Sequence, residues 1–220
     1  MLKKAYVWFH RVTSRSDERG EYSSGVWQDQ VRTRALELCR AQAGSVLEVG
    51  CGEGLFLTQL AAGNSNARIA GIDISKRLLD KAHDRLIKNG MHNVVLSHAD
   101  GTLLPFKESS FDAVVCINVI FNLPSRDIVR KVFQEIARVS KKDGKIIFDF
   151  RNKRNPLLSL KYKFAPYYDQ TVKDLPLKTY CLRDMRLLLD EAGFAVTRIL
   201  YVGFFIKPIS PLIMIEAKKK

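Results

Sequence analysis

The residues best suited to chemistry in this chain of 220 residues lie in the run Val46-Leu47-Glu48-Val49-Gly50-Cys51-Gly52-Glu53-Gly54. One acid stands inside an apolar stretch, and glycines follow at every second position. Glycine puts no side chain between backbone and ligand and reaches left-handed conformations cheaply, so the run predicts a turn that something approaches closely. An acid in an otherwise apolar strand is costly unless it finds a partner, which makes Glu48 a candidate for contact with a polar ligand. Two more acids, Asp73 and Asp100, close or follow later apolar stretches. A carboxylate so placed can accept from hydroxyl or amino groups. A glycine turn followed by strand-end acids is the equipment for holding a nucleotide-like cofactor.

The spacing narrows the choice of cofactor. A dinucleotide-binding turn needs G-x-G-x-x-G, and the third position counted from Gly50 is Leu55, while from Gly52 it is Leu57. A P-loop needs a terminal Gly-Lys-Ser/Thr, which the run lacks.

These residues need elements to position them. Residues 45–50 read as a buried strand and 54–62 as the helix behind the turn. Residues 67–74 form a second strand, with Ser75 as N-cap of a helix over 76–89 that Asn89-Gly90 closes. A short strand at 93–97, an apolar strand at 111–118, a helix at 126–140 behind Ser125, and a strand at 145–150 after the Asp143-Gly144 turn complete a strand–helix alternation. Short connections in that order predict a parallel sheet covered on both faces. Before it, residues 1–25 form a polar, turn-rich arm and 27–43 a helix with Val31, Ala35, Leu36, Leu38 and Cys39 on its apolar side. After it, 182–191 is an amphipathic helix, 194–205 and 211–218 pair as a hairpin, and the tail Lys218-Lys219-Lys220 is expected to fray. The expected organisation is one domain: cap arm and helix at 1–44, cofactor-binding core at 45–150, inserted lid or substrate segment at 151–180, and C-terminal helix and hairpin at 181–220.

The string Glu48-Val49-Gly50-Cys51-Gly52-Glu53-Gly54 resembles the first motif of class I S-adenosylmethionine-dependent methyltransferases. Gly71-Ile72-Asp73-Ile74-Ser75, His98-Ala99-Asp100-Gly101-Thr102-Leu103-Leu104-Pro105-Phe106, Phe111–Asn118 and Glu135–Val139 with Asp143-Gly144 follow in the family's order, and 187–194 resembles its late helix-to-strand junction. The resemblance implies an α/β, Rossmann-like, doubly wound sheet of seven strands, mostly parallel with an antiparallel C-terminal strand and helices on both faces. It implies S-adenosylmethionine as cofactor and methyl transfer by in-line displacement. By motif position, Glu48, Gly50, Cys51, Gly52, Gly54, Asp73, Ile74, Asp100, Gly101 and Asn118 become the cofactor-binding candidates. Asp73 would take the ribose hydroxyls and Asp100 the adenine amino group; Glu48 or a strand-end carbonyl would take the tail ammonium, and Arg32 or Arg34 the tail carboxylate.

The acceptor side is less marked. Catalytic candidates are Asn122, Asn152 and Tyr22; Asn122 stands where many relatives carry a histidine. Trp27, Asp149, Arg151, Tyr162, Tyr167 and Tyr168 could also line an acceptor pocket. The stretch from Arg151 to Lys163 is basic and interleaved with aromatic and leucine residues, in a chain of net charge +13. A positive field favours anionic partners. A small-molecule acceptor, anionic or partly apolar, is the first expectation; RNA or a lipid- or quinone-like acceptor, or a cofactor-binding module without turnover, are the alternatives. Cys39, Cys51, Cys116 and Cys181 form no CxxC or zinc spacing, so no metal is expected. The stretch 199–215 is broken by Lys207, Pro208 and Pro211 and makes a poor membrane span, and residues 1–10 lack a leader's apolar run, so a cytoplasmic protein is expected.

Overall fold

The computed structural model describes residues 26–40, 44–64, 66–156, 158, 176–203 and 206–220. The arm with Tyr22, and Leu157, Leu160, Tyr162, Tyr167 and Tyr168 in the 151–180 segment, lie outside the described residues.

Helix α1 (Val26–Arg40) leads into β1 (Ser45–Val49), α2 (Leu55–Gly63), β2 (Arg68–Asp73), α3 (Lys76–Lys88), β3 (Val94–His98) and β4 (Phe111–Cys116). A short 3-10 turn (Ile120–Asn122) precedes α4 (Arg126–Val139) and β5 (Ser140–Arg151). Helix α5 (Leu182–Glu191), β6 (Phe194–Val202), a second 3-10 turn (Lys207–Ile209) and β7 (Leu212–Lys219) finish the chain. The strands make one sheet of seven in the order β3-β2-β1-β4-β5-β7-β6. Pairing is parallel from β3 through β5, and β7 runs antiparallel to both β5 and β6. This is the expected sheet, hairpin included.

Alternation along β1 sorts the core. Leu47 and Val49 pack on one face with Val129, Val132, Phe133 and Ile136 of α4 and Met185 and Leu188 of α5. Val46 packs on the other with Val31 and Ala35 of α1, Phe56 and Leu60 of α2 and Leu79 and Leu86 of α3. Successive strand residues point to opposite faces, so helices must cover both. Each fully buried apolar side chain here contributes roughly 1.5–3 kcal/mol; Phe133 and Phe148 do so as an edge-on pair 4.8 Å apart. Helices α3 and α4 start where Ser75 and Ser125 accept from the backbone N–H of Leu78 and Ile128.

Three expectations on element ends are corrected. Strand β5 begins at Ser140, with Asp143 at φ 65° and Gly144 forming an irregularity inside it. A side chain at Gly144 would stand 2.8 Å from the Lys141 carbonyl oxygen, so the kink needs glycine there. Strand β4 stops at Cys116, and Asn118 turns the chain away at φ 59°. The C-terminal lysines are tied down: Lys219 Nζ donates to the carbonyls of Ala137 and Ser140 at 2.7 and 2.8 Å, Lys218 pairs with Asp143 and Lys220 with Asp190. Running as an inner strand between β5 and β6 gives the tail neighbours on both sides.

Strand order reverses between β1 and β4, the neighbours at the centre of the sheet. In an open α/β sheet, ligands bind outside the carboxyl ends of the strands at that point. The glycine turn leaves β1 there, and Asn118 leaves β4 beside it.

Candidate functional site

Gly50, Gly52 and Gly54 all take left-handed backbone, at φ 77°, 52° and 75°. The backbone N–H groups of Gly50 and Cys51 both donate to the Ile72 carbonyl at 2.8 Å, which folds the turn onto the end of β2. A side chain at Gly50 would strike Val119 Cγ2 at 2.3 Å, and one at Gly54 would meet Ala82 at 3.0 Å. At Gly52 it would meet nothing within 4 Å. The outer two glycines are therefore required by packing, whereas the middle one borders open space. Cys51 is buried, its thiol pushed up by desolvation and by the nearby Glu48 and Asp73 carboxyls, so it is an inert wall of the turn.

Asp73 ties this turn to the next. Its Oδ2 accepts from the Gly52 N–H and its Oδ1 from the Ser75 N–H, both at 2.8 Å. Each carboxylate oxygen keeps acceptor capacity for a further donor. Ile74, beside it, is 69% exposed although it is large and apolar. The following loop comes alongside: Ala99 N–H donates to the Asp73 carbonyl at 3.2 Å, and His98 Nε2 lies 2.8 Å from the Ile74 carbonyl. Asp100 holds its own loop, with Oδ1 accepting from Thr102 N–H and Oγ1 at 2.8 and 2.9 Å. Gly101 lies against Val49, where a side chain would come within 3.2 Å.

Glu48 is 3% exposed, and its Oε2 has no hydrogen-bond partner. Desolvation raises its carboxyl well above the usual carboxylate range; the charge of Arg32 opposes this and that of Asp73 adds to it. Arg32 is itself buried on α1 and paired with Asp29 at 3.0 Å. Arg34, the other cation considered for the site, is exposed and paired with Glu37. A buried polar atom left unsatisfied costs about 1–3 kcal/mol. An orphaned carboxylate oxygen on the strand that runs into a glycine turn is a place for a cationic or N–H-bearing ligand.

On the β4 side, Asp149 is fully buried, with Oδ1 accepting from Asn118 N–H at 2.5 Å and Oδ2 from Arg151 at 2.8 Å. Burial pushes the Asp149 carboxyl up, against the Arg151 charge and the Asn118 bond. The guanidinium lies 4.0 Å over the Phe121 ring, and its Nη2 is 3.4 Å from Asn118 Oδ1. Asn122 Nδ2 donates to the Asn118 carbonyl at 3.4 Å, while its Oδ1 is buried without a partner.

The structure thus brings Glu48, Gly50, Cys51, Gly52, Gly54, Asp73, Ile74, Asp100 and Gly101 to one edge of the sheet, with Asn118 and Asn122 beside them. Asn152 has a different neighbourhood. It is buried, and both its amide hydrogens are engaged, to the carbonyls of Pro208 at 3.0 Å and Ser210 at 2.9 Å, while its Oδ1 accepts from Arg154 N–H. That arrangement clamps a loop and leaves it no hydrogen for a reacting group. Tyr22 lies outside the described residues.

Sequence reasoning missed three features. Leu103 is 76% exposed on the Asp100 loop and adds a second apolar side chain to Ile74. That loop is itself held from α4: Glu135 Oε2 accepts from Leu104 N–H at 2.8 Å, and Arg138 donates to the carbonyls of Leu104 and Phe106. Glu135 and Arg138, three residues apart on a helix, carried a readable signal for a pair. Asp149 and Arg151, two apart on a strand and so on one face, carried a signal for a pair as well, although only their place at the strand end was read. Among the described residues no group of three His, Cys, Asp or Glu gathers at metal-ligand distance, and no helix is long and apolar enough to cross a membrane.

Comparison with known proteins fits this geometry. Residues 46–144 match the family model described as a methyltransferase domain. A ubiquinone/menaquinone biosynthesis C-methyltransferase of Saccharophagus degradans is 27% identical over 211 residues, 86% of this chain and 83% of that protein. A phosphatidylethanolamine N-methyltransferase of Cereibacter sphaeroides is 29% identical over 150 residues, covering 67% and 71%. Among solved structures, magnesium protoporphyrin IX methyltransferase from Synechocystis PCC 6803 with bound SAH superposes with a TM-score of 0.73 at 17% identity, over 99% of this chain and 95% of that one.

Proposed function

We propose that this chain, a class I S-adenosylmethionine-dependent methyltransferase, methylates a small acceptor with an apolar body, of quinone or lipid type. The relatives named for ubiquinone/menaquinone biosynthesis and for phosphatidylethanolamine support that acceptor class. The observation that carries the cofactor side is the orphaned Glu48 oxygen on β1, and the open space at Gly52 in the turn that follows supports it.

The residues fit the cofactor. Glu48 Oε2 would accept from the tail ammonium, and Arg32 lies close enough to act on that carboxyl. Asp73 would accept from the ribose hydroxyls with the capacity left after Gly52 and Ser75, a charge-assisted pair. Asp100 would accept from the adenine amino group, and Ile74 and Leu103 would cover the adenine faces. Gly50, Cys51, Gly52, Gly54, Gly101 and Asn118 would form the walls. Bound S-adenosylmethionine supplies a methyl group already activated on a sulfonium. What the chain must add is alignment, which can lower a barrier by about 7–11 kcal/mol. Asn122 Oδ1 would receive the acceptor's O–H or N–H and hold it for in-line attack. An amide oxygen is too weak to remove a proton, so Asn122 orients and does not act as general base.

The 151–180 segment would serve the acceptor side of this domain, as a lid or substrate segment. A cytoplasmic location belongs to this proposal; four free cysteines suit a reducing compartment. The test is turnover of S-adenosylmethionine to its demethylated product with an organic-phase lipid extract and with an aqueous metabolite extract. Turnover on the organic fraction, reduced tenfold or more by Asn122→Ala at unchanged cofactor affinity, is expected. Turnover on the aqueous fraction alone refutes the acceptor class, and cofactor binding with no turnover on either favours a binding module.

A further inference from the structure

Two turns beyond the site are locked together and present an unusual surface. Strand β6 runs parallel to β5, since both are antiparallel to β7, so the β6–β7 connection emerges at the same sheet edge as the glycine turn. There it meets the turn after β5. Asn152 Nδ2 holds the carbonyls of Pro208 and Ser210, Asn152 N–H donates to the Pro211 carbonyl at 2.9 Å, and Asn155 Nδ2 holds the Ile209 carbonyl at 2.5 Å. Both asparagines are 1% exposed. With these carbonyls drawn inward, the side chains of the turn face outward: Ile206 is 62% and Ile209 38% exposed, with Lys207 between them. Lys153 and Arg154 are exposed on the partner turn.

Neither turn contains an acid, and among the described residues Lys153, Arg154 and Lys207 have no carboxylate partner. The acids of the groove alongside, Asp184 and Asp190, are paired with Arg126 and Lys220. Two exposed isoleucines on a turn pinned by buried asparagines, with Lys207 between them and two more cations on the turn they bond to, none with a carboxylate partner among the described residues, match a surface that offers hydrocarbon beneath negative charge. We infer that these turns dock the protein on an anionic phospholipid bilayer. Docking there sets the site edge against the membrane: Asn152 directly follows Arg151, whose partner Asp149 holds Asn118. A lipid-soluble acceptor then enters without crossing water. The docking goes beyond the acceptor proposal and is measured without turnover.

The test is sedimentation of the full chain with vesicles of phosphatidylcholine mixed with phosphatidylglycerol, and with vesicles of phosphatidylcholine alone, cofactor absent. Binding to the mixed vesicles is expected to exceed binding to the neutral ones and to fall with salt. Each cation near an anionic surface is worth about fivefold in partitioning, so Lys153→Gln, Arg154→Gln and Lys207→Gln together should weaken binding by about a hundredfold. Ile206→Ser with Ile209→Ser should weaken it even at low salt, where attraction between charges is strongest. All variants should keep the wild-type affinity for S-adenosylmethionine by calorimetry, which reports an intact fold. The inference is overturned if the wild type stays in the supernatant with mixed vesicles, if both variants sediment like it, or if a single-stranded RNA binds while vesicles do not. Those outcomes leave the methyltransferase assignment standing, whereas loss of cofactor binding by the wild type would strike that assignment and leave the docking result intact.

Discussion

Replacing Asp73 by alanine removes two hydrogen bonds within the protein and, on the proposed function, two more to the cofactor, and the two losses are measured separately. In the protein alone, the carboxylate satisfies the N–H groups of Gly52 and Ser75 at 2.8 Å each. Hydrogen bonds to charged groups contribute about 1.5–3 kcal/mol each. Water can reach the vacated space from the site, so the low end applies, about 3 kcal/mol for the pair. In a chain of this size each kcal/mol shifts the melting temperature by roughly 2–4 °C, which predicts a fall of about 6–12 °C. Loss of two charge-assisted bonds to ribose hydroxyls adds about 3 kcal/mol to the binding free energy, a factor of about a hundred in Kd. Calorimetric titration with S-adenosylmethionine, well below the lowered melting temperature, reads the second effect. Leu188→Ala is the control: Leu188 is fully buried in α5, in the core on the far side of β1 from Glu48, and its truncation costs about 2–5 kcal/mol without touching the site. That variant should lose similar stability and keep its affinity. Asp73→Ala binding within threefold of the wild type would reduce Asp73 to a brace for the turn. An equal loss in Leu188→Ala would show that affinity follows stability and carries no information about Asp73.

Two further substitutions bear on the same turn. Gly52→Ala places a methyl group where nothing lies within 4 Å, at φ 52°, so it should fold with a loss of about 1–2 kcal/mol from the left-handed backbone alone; calorimetry should show cofactor affinity down tenfold or more, and an unchanged Kd would remove the ligand from that space. Glu48 has a raised native carboxyl, so between the ordinary value near 4.3 and the native one the folded protein binds the extra proton and stability falls as pH rises. Glu48→Gln, neutral and isosteric, should flatten that decline in melting curves taken from about pH 5 to pH 8 and melt above the wild type at the upper end, while a parallel pair of curves would mean Glu48 is not the group responsible.

What could be read from sequence follows from how local its physical cause is. The sheet and its helices were legible because period and capping are properties of neighbours: Ser75 and Ser125 announce their helices, and Val129, Val132, Phe133 and Ile136 mark the buried stripe of α4. The glycine turn was legible for the same reason. The end of the tail was misjudged because three lysines look solvated until their partners, Ala137, Ser140, Asp143 and Asp190, arrive from as far as 82 residues away. Asn152 was misjudged in the opposite direction. Its position after a strand end made it resemble a site residue, and only the carbonyls of Pro208 and Ser210, 56 and 58 residues later, reveal a clamp.

That contrast bears on how such a fold changes its acceptor. The residues proposed for the cofactor lie at or just after strand ends whose spacing is set by the parallel sheet, so their pattern survives in linear form. The proposed acceptor side joins the β4 turn, the end of β5 and the β6–β7 connection, three segments held by contacts of long sequence separation. A change in any of them alters what approaches Asn122 without moving Asp73 or the glycines. Relatives named for such different acceptors as phosphatidylethanolamine and quinones are what this separation of roles allows. On the proposed function, the unpartnered oxygen of Asn122, placed by a turn of three residues, has the same origin: a polar group set for one acceptor has nothing in the protein alone to meet it.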